Sequence, residues 1–189
     1  QQETDRLVST LNRLLHYNLG KGRTARIADE IEALKHYVML QGVRYNFHFD
    51  IRIQADPVML MHPIPRFILQ PLVENSIHHG LQSKSGDGGV IEVAVKEEGG
   101  THVVLEVRDN GYGMTEAELQ RMIAGGSETA SKTGMGIGWQ YVRRMLDWQY
   151  GGAAGMQVAS GIGSGTTITL RLPIDRRGGE DDAESDGRG

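Results

Sequence analysis

Apolar residues recur at helical spacing through the N-terminal part of the chain. The first stripe consists of Leu7, Val8, Leu11, Leu14 and Leu15. The second stripe consists of Ile27, Ile31, Leu34 and Val38. It follows Thr24, a residue type favoured at a helix N-cap, and it stops at Gly42. Two such helices joined by a short glycine turn predict a helical hairpin over residues 1–45. The hairpin either packs only on the domain that follows or also pairs with a second copy, and the sequence leaves both open.

Beyond residue 46 the apolar period changes from helical to alternating. The segments with strand patterns are 47–53, 88–98, 101–109, 156–160 and 165–174. Three segments have helix patterns. The first starts at Pro63 and Pro65 and reaches Gly80. The second covers 115–123 and opens with the capping-box pair Thr115 and Glu118, and the third covers 138–150. Strands joined by turns as short as Gly99–Gly100 favour an antiparallel or mixed sheet with helices on one face. We therefore predict an α+β fold.

Two stretches lack such a pattern. Residues 124–136 are rich in glycine and have no apolar period, which predicts a long mobile loop. From Arg176 onward the composition is charged and glycine-rich, which predicts a disordered tail. We therefore divide the chain into a helical hairpin over 1–45, an α+β domain over 46–175 and a tail over 176–189.

Composition narrows the classes of function. The 189 residues carry a formal net charge of −4, which argues against broad nucleic-acid binding because such binding usually needs a basic surface. The absence of cysteine excludes a disulfide scaffold and a zinc site of the thiolate type. Neither a signal peptide nor a run of about 18 apolar residues is present, so we expect no membrane span in this stretch. Because the chain starts inside a helical pattern, we expect it to be a fragment.

Polar side chains share one stripe of the predicted helix over 70–80. Gln70, Glu74 and His78 form one row at i,i+4 spacing, and Asn75 and His79 form the neighbouring row. The rest of the helix is apolar, which is typical of a core helix that lines a pocket. Amide and carboxylate oxygens suit Mg²⁺, and a carboxylate there could also orient a nucleophile. The structural alternative is a stripe that faces solvent.

Asp109 ends a strand face that is otherwise apolar. Val103, Leu105 and Val107 share that face, and a carboxylate at its edge is costly unless a donor meets it. The glycines at 111 and 113 let backbone approach a flat ligand, and a buried acceptor there suits the exocyclic amine of adenine. The structural alternative is a tight turn in which Asp109 caps its own backbone.

Two further glycine motifs precede regular elements. "TGMGIG" (133–138) stands before a helix, where free N–H groups and the positive end of the helix dipole hold phosphates. It is not a Walker A motif, and its structural alternative is a flexible loop that ends in a cap. "GIGSGTT" (161–167) is either a plain hairpin turn or a turn that brings Thr166 toward a pocket.

The order of these motifs is more specific than any one of them. An E-N pair on a helix precedes D-x-G-x-G after a strand, and G-x-G before a helix precedes G-x-G-T before a strand. This order resembles the ATP-binding domain of the GHKL superfamily, which has the Bergerat fold, a two-layer α/β sandwich. "QPLVENSIHHG" and "GIGWQYVRRML" are similar to the LytS/YesM-like branch of sensor histidine kinases. The resemblance covers about residues 60–174, and the hairpin fits the end of a dimerisation and phosphotransfer region.

The resemblance implies a site for Mg–ATP. It implies that Asn75 ligates Mg²⁺ and that Glu74 and Asn75 are the catalytic residues. It also implies that Asp109 accepts a hydrogen bond from the adenine amine, with Thr166 nearby, and that 115–133 is the ATP lid. The implied nucleotide-binding residues are Asn75, His78, His79, Asp109, Gly111, Gly113, Met114, Gly134, Met135, Gly136, Ile137, Gly138 and Thr166.

The sequence departs from the family pattern at three points. Pro71 stands where many members have an acidic or amide residue, so the catalytic carboxylate is assigned to Glu74. His78 stands where many kinases have lysine, which implies a titratable contact to phosphate. The phospho-accepting histidine is expected upstream of residue 1.

The function implied by the resemblance is that of a sensor histidine kinase. The chain would transfer the γ-phosphoryl of Mg–ATP to a histidine for relay to the receiver domain of a response regulator. We expect a homodimer in the full-length protein and a cytoplasmic location, with membrane contact only through upstream segments. The alternatives are another GHKL ATPase or serine kinase, and a catalytically weak nucleotide-binding module that dimerises.

Overall fold

The computed structural model describes residues 9–13, 17, 19–20, 22–77, 88–124 and 137–174. In chain order its elements are β1 (Thr24–Arg26), α1 (Ile27–Tyr45), β2 (Phe49–Ala55), β3 (Pro63–Pro65), α2 (Gln70–Asn75), β4 (Gly89–Glu98), β5 (His102–Asp109), α3 (Glu116–Ala124), α4 (Ile137–Tyr150), β6 (Gly155–Gly161) and β7 (Gly165–Pro173). The predicted mobile loop beyond residue 124 and the predicted tail lie outside the described residues. The division of the chain into three parts stays a prediction.

Five strands form one mixed sheet in the order β2-β4-β5-β7-β6. β2 runs parallel to β4, and the other neighbouring pairs are antiparallel. The helix α2 packs against α4, and α1 contacts both β2 and α2. The predicted α+β fold with a mixed sheet is therefore confirmed.

The core lies between the sheet and the helices. The alternating residues Val103, Leu105 and Val107 of β5 are buried, and they share one cluster with side chains of α1, α2 and α4. β5 lies between β4 and β7 in the sheet, so both of its edges are shielded by neighbouring strands. The end of β5 therefore delivers Asp109 to the interior.

Short sequence motifs predicted the turn between β4 and β5 and the start of α3 correctly. The turn between β4 and β5 contains Gly99 and Gly100 with φ of 59° and 68°, the positive values that a tight hairpin turn requires. At the start of α3 the Thr115 N–H donates to Glu118 Oε2 at 2.8 Å, and the Glu118 N–H donates to Thr115 Oγ1 at 3.3 Å. The predicted hairpin and capping box are confirmed.

The prediction that Thr24 caps the second helix is wrong. Thr24 lies in β1, which pairs antiparallel with β3, and α1 starts at Ile27 after Arg26. Arg26 makes no side-chain cap and instead forms an ion pair with Asp29 at 2.9 Å. Since β1 gains its hydrogen bonds from residues almost forty positions away, local pattern could not reveal it.

The predicted end of the same helix and the predicted start of α2 are also wrong. α1 does not stop at Gly42 but continues to Tyr45 and ends at Asn46 in the left-handed conformation. A Cβ at Gly42 would lie 3.1 Å from the Phe47 carbonyl oxygen, so the glycine serves the returning chain rather than helix termination. Pro63 and Pro65 do not start a helix but form β3, because a residue before proline favours extended backbone.

Candidate functional site

Asp109 is a buried carboxylate at the end of β5. Its side chain is 2% exposed. Its Oδ1 accepts a hydrogen bond from the Gly111 N–H at 2.9 Å and another from the Thr166 N–H at 3.2 Å. Asp109 therefore caps its own backbone, as in the structural alternative, and also ties the end of β5 to the start of β7. This arrangement fixes the carboxylate plane beside two of the predicted glycine motifs.

The two glycine motifs that follow β5 and β6 pack directly on each other. The Gly163 N–H donates to the Tyr112 carbonyl at 2.7 Å. A Cβ at Gly113 would lie 2.0 Å from the Gly161 carbonyl oxygen, and one at Gly165 would lie 2.0 Å from the Asp109 carbonyl oxygen. Both glycines also have positive φ. The close approach shown by the structure is therefore between two segments of backbone.

Ser160 links two of the predicted site residues, Met114 and Thr166, and was missed at the sequence level. Its hydroxyl accepts a hydrogen bond from the Met114 N–H at 2.9 Å and donates to the Gly165 carbonyl at 3.0 Å. Its oxygen also lies 2.9 Å from Thr166 Oγ1. The only available sequence signal was a hydroxyl residue just before "GIGSGTT", which is common near turns.

Asn110 anchors the same loop to the sheet. Its side-chain Oδ1 accepts the Val90 N–H at 2.9 Å, and its own N–H donates to the Val90 carbonyl at 3.2 Å. The loop over 110–114 is therefore held from β4 on one side and from β6 and β7 on the other. Such rigid placement is what a binding site needs from a loop.

Glu74 and Asn75 point to different neighbours. Glu74 Oε1 accepts a hydrogen bond from Gln70 Nε2 at 3.1 Å, which confirms the predicted contact between these two side chains along the helix. Burial raises the pKa of the Tyr37 phenol on α1, and the neighbouring Glu74 carboxylate raises it further. Pro71 lies in the first turn of α2, where its missing N–H costs no helical hydrogen bond.

Asn75 lies where α2 meets the start of α4. A Cβ at Gly138 would lie 2.6 Å from the Pro71 carbonyl oxygen and 3.0 Å from Asn75 Nδ2, so only glycine permits this contact. Asn75 Nδ2 is buried and has no hydrogen-bond partner within the described part of the chain. An amide with an unmatched polar atom beside a helix N-terminus fits a site that also receives a charged ligand.

Gln140 is a second residue that sequence analysis did not single out. Its Nε2 donates to the Met122 carbonyl at 3.2 Å and to the Ile123 carbonyl at 3.1 Å. These are carbonyl groups of the last turn of α3, which lack partners inside their own helix. Gln140 therefore joins the end of α3 to the first turn of α4.

The structure brings the predicted residues into two clusters. The first contains Asp109, Gly111, Gly113, Met114 and Thr166. The second contains Glu74, Asn75 and Gly138, and Ile137 is the first residue of α4 beside it. The predicted residues that lie outside the described ranges are His78, His79, Gly134, Met135 and Gly136.

The chain matches a family of known ATPases. Residues 63–176, more than half of the chain, match the family of histidine kinase-, DNA gyrase B-, and HSP90-like ATPases. The chain belongs to this family. Its matched region contains both clusters, so the predicted resemblance to GHKL ATPases is confirmed and the domain is an ATPase domain of the histidine-kinase type.

Curated relatives of this ATPase domain are sensor kinases. The chain is 31% identical to the sensor histidine kinase BtsS of Escherichia coli strain K12 over 173 residues, which is 91% of this chain and 28% of BtsS. It is 31% identical over 157 residues to the sensor histidine kinase/phosphatase LytS of Staphylococcus aureus strain MRSA252, which is 83% of this chain and 26% of LytS. The chain thus spans about a quarter of the length of these relatives.

Solved structures show the same fold. The histidine kinase domain of the blue-light activated histidine kinase from Erythrobacter litoralis EL346 matches with a TM-score of 0.56 at 16% identity, over 90% of this chain and 74% of that one. The catalytic domain of histidine kinase ThkA matches with a TM-score of 0.59 at 14% identity, over 82% of this chain and 97% of that one. The expected Bergerat-type architecture is confirmed.

Within the ranges that the structure describes, no three His, Asp or Glu side chains cluster as a metal site of their own. The same ranges contain no helix with the length and apolar character that a membrane crossing requires.

Proposed function

We propose that this chain is the catalytic region of a two-component sensor histidine kinase. It transfers the γ-phosphoryl group of Mg–ATP to a histidine outside this chain, for relay to the receiver domain of a response regulator. The observation that carries the proposal is the buried Asp109 carboxylate, held by two backbone N–H groups inside a matched ATPase domain. The names of the similar BtsS and LytS proteins support the same activity.

The Asp109 cluster is the adenine end of the proposed site. Asp109 accepts a hydrogen bond from the adenine amine, and the backbone at Gly111 and Gly113 lies beside the base. Thr166 and Met114 complete this end, because Ser160 fixes both of them relative to Asp109. A buried, oriented acceptor discriminates strongly for a donor, since a ligand without one would leave the carboxylate unmatched.

The cluster at α2 and α4 is the phosphate and metal end. Asn75 supplies an amide oxygen to Mg²⁺, and Glu74 is the carboxylate next to it. Gly138 lies in the first turn of α4, where unpaired N–H groups and the helix dipole favour anions. Gly134, Met135 and Gly136, with His78 and His79, are proposed to contact the phosphates. When bound, Mg²⁺ neutralises charge that develops on the transferred phosphoryl group.

The full-length protein is proposed to act as a homodimer with a cytoplasmic catalytic region. Any membrane contact would be made by segments outside this chain. The net charge of −4 argues against broad binding of nucleic acid. A homodimer would bring the helical segments of two copies together beside their ATPase domains.

The first experiment is calorimetric titration of ATP, with and without Mg²⁺, into the wild type and Asp109→Asn. We expect wild-type binding that Mg²⁺ strengthens, and a loss of about 10- to 100-fold in affinity for Asp109→Asn, because an acceptor for the adenine amine is replaced by a donor. The matched control is Glu106→Gln, which lies on the opposite face of β5 and should bind ATP like the wild type.

Phosphotransfer is tested separately in a longer chain that includes the upstream helix. Incubation with γ-labelled ATP should give an acid-labile, base-stable label on histidine, and this label should pass to a receiver domain. Steady release of phosphate without any labelled histidine would instead identify a plain ATPase. Failure of the folded wild type to bind ATP would refute the proposed function.

A further inference from the structure

The helix that carries Glu74 and Asn75 has little means of holding its own position. α2 is six residues long, and its N-cap residue Leu69 makes no side-chain cap. A helix of this length is unstable in isolation, because few of its N–H groups find partners within it. Its placement must therefore come from the elements packed around it.

Glu30 of α1 holds the turn that leads into α2, although it lies in a distant part of the chain. It is 3% exposed, and its carboxylate accepts the N–H groups of Phe67 at 2.7 Å, Ile68 at 3.1 Å and Leu69 at 3.3 Å. Three successive backbone donors on one carboxylate form a nest at the entry to α2. Burial raises the pKa of Glu30, while these donors and the Tyr17 hydroxyl oppose that rise.

The turn that Glu30 caps has a backbone conformation that needs such support. Phe67 has φ of 61°, in the left-handed region that a bulky residue rarely adopts. The Phe67 ring packs edge-on against the Tyr17 ring, with centroids 5.3 Å apart. The Arg66 guanidinium lies 4.5 Å from the Tyr17 ring centre and bonds the Tyr17 carbonyl. The segment before α1 therefore helps to hold the same turn.

Tyr37 of α1 contacts the far end of α2. It lies seven residues after Glu30, two turns along the same buried face of α1. Burial raises the pKa of the Tyr37 phenol, and the neighbouring Glu74 carboxylate raises it further, so the hydroxyl of Tyr37 faces Glu74 in its protonated form. Gln70 Nε2 donates to Glu74 Oε1 at 3.1 Å, and Asn75, the next residue of α2, lies beside Gly138.

We infer that Glu30 and Tyr37 are positioning residues through which α1 sets the place of Glu74 and Asn75 in the ATPase site. This inference rests on the proposed function, in which Asn75 serves Mg²⁺ and phosphate. Displacement of α1 relative to the sheet would move both contacts together, so the helical segment and the metal end of the site are mechanically joined. The adenine end has its own anchors at Ser160 and Asn110 and should not respond.

The test compares Tyr37→Phe and Glu30→Gln with the control Tyr141→Phe, whose ring is 48% exposed on α4. In ligand-free protein we expect the amides of Leu72 and Val73 in α2 to exchange with deuterium at least about tenfold faster in both variants, because Glu30→Gln weakens the carboxylate contacts to the turn before α2 and Tyr37→Phe removes the hydroxyl that faces Glu74. Exchange in β5 should stay within about twofold, and the control should match the wild type throughout.

Nucleotide binding gives the second readout on the same proteins. ATP affinity without Mg²⁺ should change by less than about twofold, while the gain in affinity from Mg²⁺ should fall about tenfold and the KM of the longer chain for Mg–ATP should rise by a similar factor. A general loss of structure would instead weaken ATP binding equally with and without Mg²⁺. In a Glu74→Gln background, Tyr37→Phe should reduce the gain in ATP affinity from Mg²⁺ by less than it does in the wild type, as expected for coupled residues.

The outcomes separate the two proposals. Unchanged exchange of α2 amides in both variants would overturn the inference, even if the wild type binds Mg–ATP. Equal losses of ATP affinity with and without Mg²⁺ would overturn it as well. Failure of the wild type to bind ATP would overturn the proposed function, and the exchange data in ligand-free protein would still decide whether α1 holds α2.

Discussion

Two glycines in the turn between β6 and β7 offer a matched pair of alanine substitutions. Gly163 and Gly165 have nearly the same φ, 77° and 76°, so Gly→Ala introduces the same backbone strain at each. They differ in the space that is available for a Cβ atom. A Cβ at Gly163 meets nothing within 4 Å, whereas one at Gly165 would lie 2.0 Å from the Asp109 carbonyl oxygen and 2.9 Å from its carbonyl carbon.

The difference in stability can be worked from these contacts. The left-handed conformation costs alanine about 1–2 kcal/mol, partly offset by the lower entropy of the unfolded chain, so Gly163→Ala should lose about 1 kcal/mol. At Gly165 the two backbones must move apart by more than about 1 Å to reach ordinary contact. That shift breaks the hydrogen bond from the Thr166 N–H to Asp109 Oδ1. Loss of a bond to a charged group adds about 1.5–3 kcal/mol, for a total of about 2.5–4 kcal/mol.

Urea unfolding monitored by tryptophan fluorescence measures both variants. The midpoint should fall much further for Gly165→Ala than for Gly163→Ala, with the slope of the unfolding free energy against urea unchanged. ATP affinity should fall at least about tenfold for Gly165→Ala and less than about twofold for Gly163→Ala, because only the former moves the Asp109 carboxylate. Equal effects of the two substitutions would refute the packing of β5 against this turn.

Three further substitutions test other parts of the structure. Thr115→Ala should cost about 1 kcal/mol by removing the cap of α3, and a cost no larger than that of an exposed control such as Val58→Ala would contradict the capping box. Because burial raises the folded-state pKa of Glu30 above its ordinary 4.5, the stability of the wild type relative to Glu30→Gln should be greatest below that value and decline as pH rises through the folded-state pKa. Unfolding curves of both proteins from pH 4 upward measure this difference, and a constant difference would exclude the titration. Leu105→Ala, at a fully buried position, should lose about 2–5 kcal/mol in urea unfolding, and a loss below 1 kcal/mol would show that β5 is not central.

Local chemistry explains why much of the sheet and two helices were predictable. The alternation in β5 follows from the period of two in a strand, and the capping box at Thr115 involves residues only three positions apart. The end of β5 was predictable for the same reason, since a carboxylate after three apolar residues of one face must reach the interior. The order of the glycine motifs then led to the family.

The errors at Thr24 and Ser160 share one cause, which is that the deciding partner is remote in sequence. The chain at Thr24 forms β1 because β3 offers it hydrogen bonds, although threonine before an apolar stripe is equally suited to a helix cap. Pro63 and Pro65 lie in the extended strand β3, which pairs with β1 in turn. Ser160 looks like any turn residue until folding brings Met114 and Thr166 to its hydroxyl.

The sequence by itself determined the class of fold, the ATPase family and the two motifs that form the ends of the site, because period, caps and motif order are local properties. Only the tertiary structure decided that Asp109 is shared between its own turn and β7, that Glu30 holds the turn before a helix which begins forty residues later, and that Tyr37 of α1 lies beside Glu74. These contacts join polar groups that lie far apart in the chain. Burial makes each such group costly unless it is matched, so the partner is chosen by the packing of the whole domain rather than by neighbouring residues.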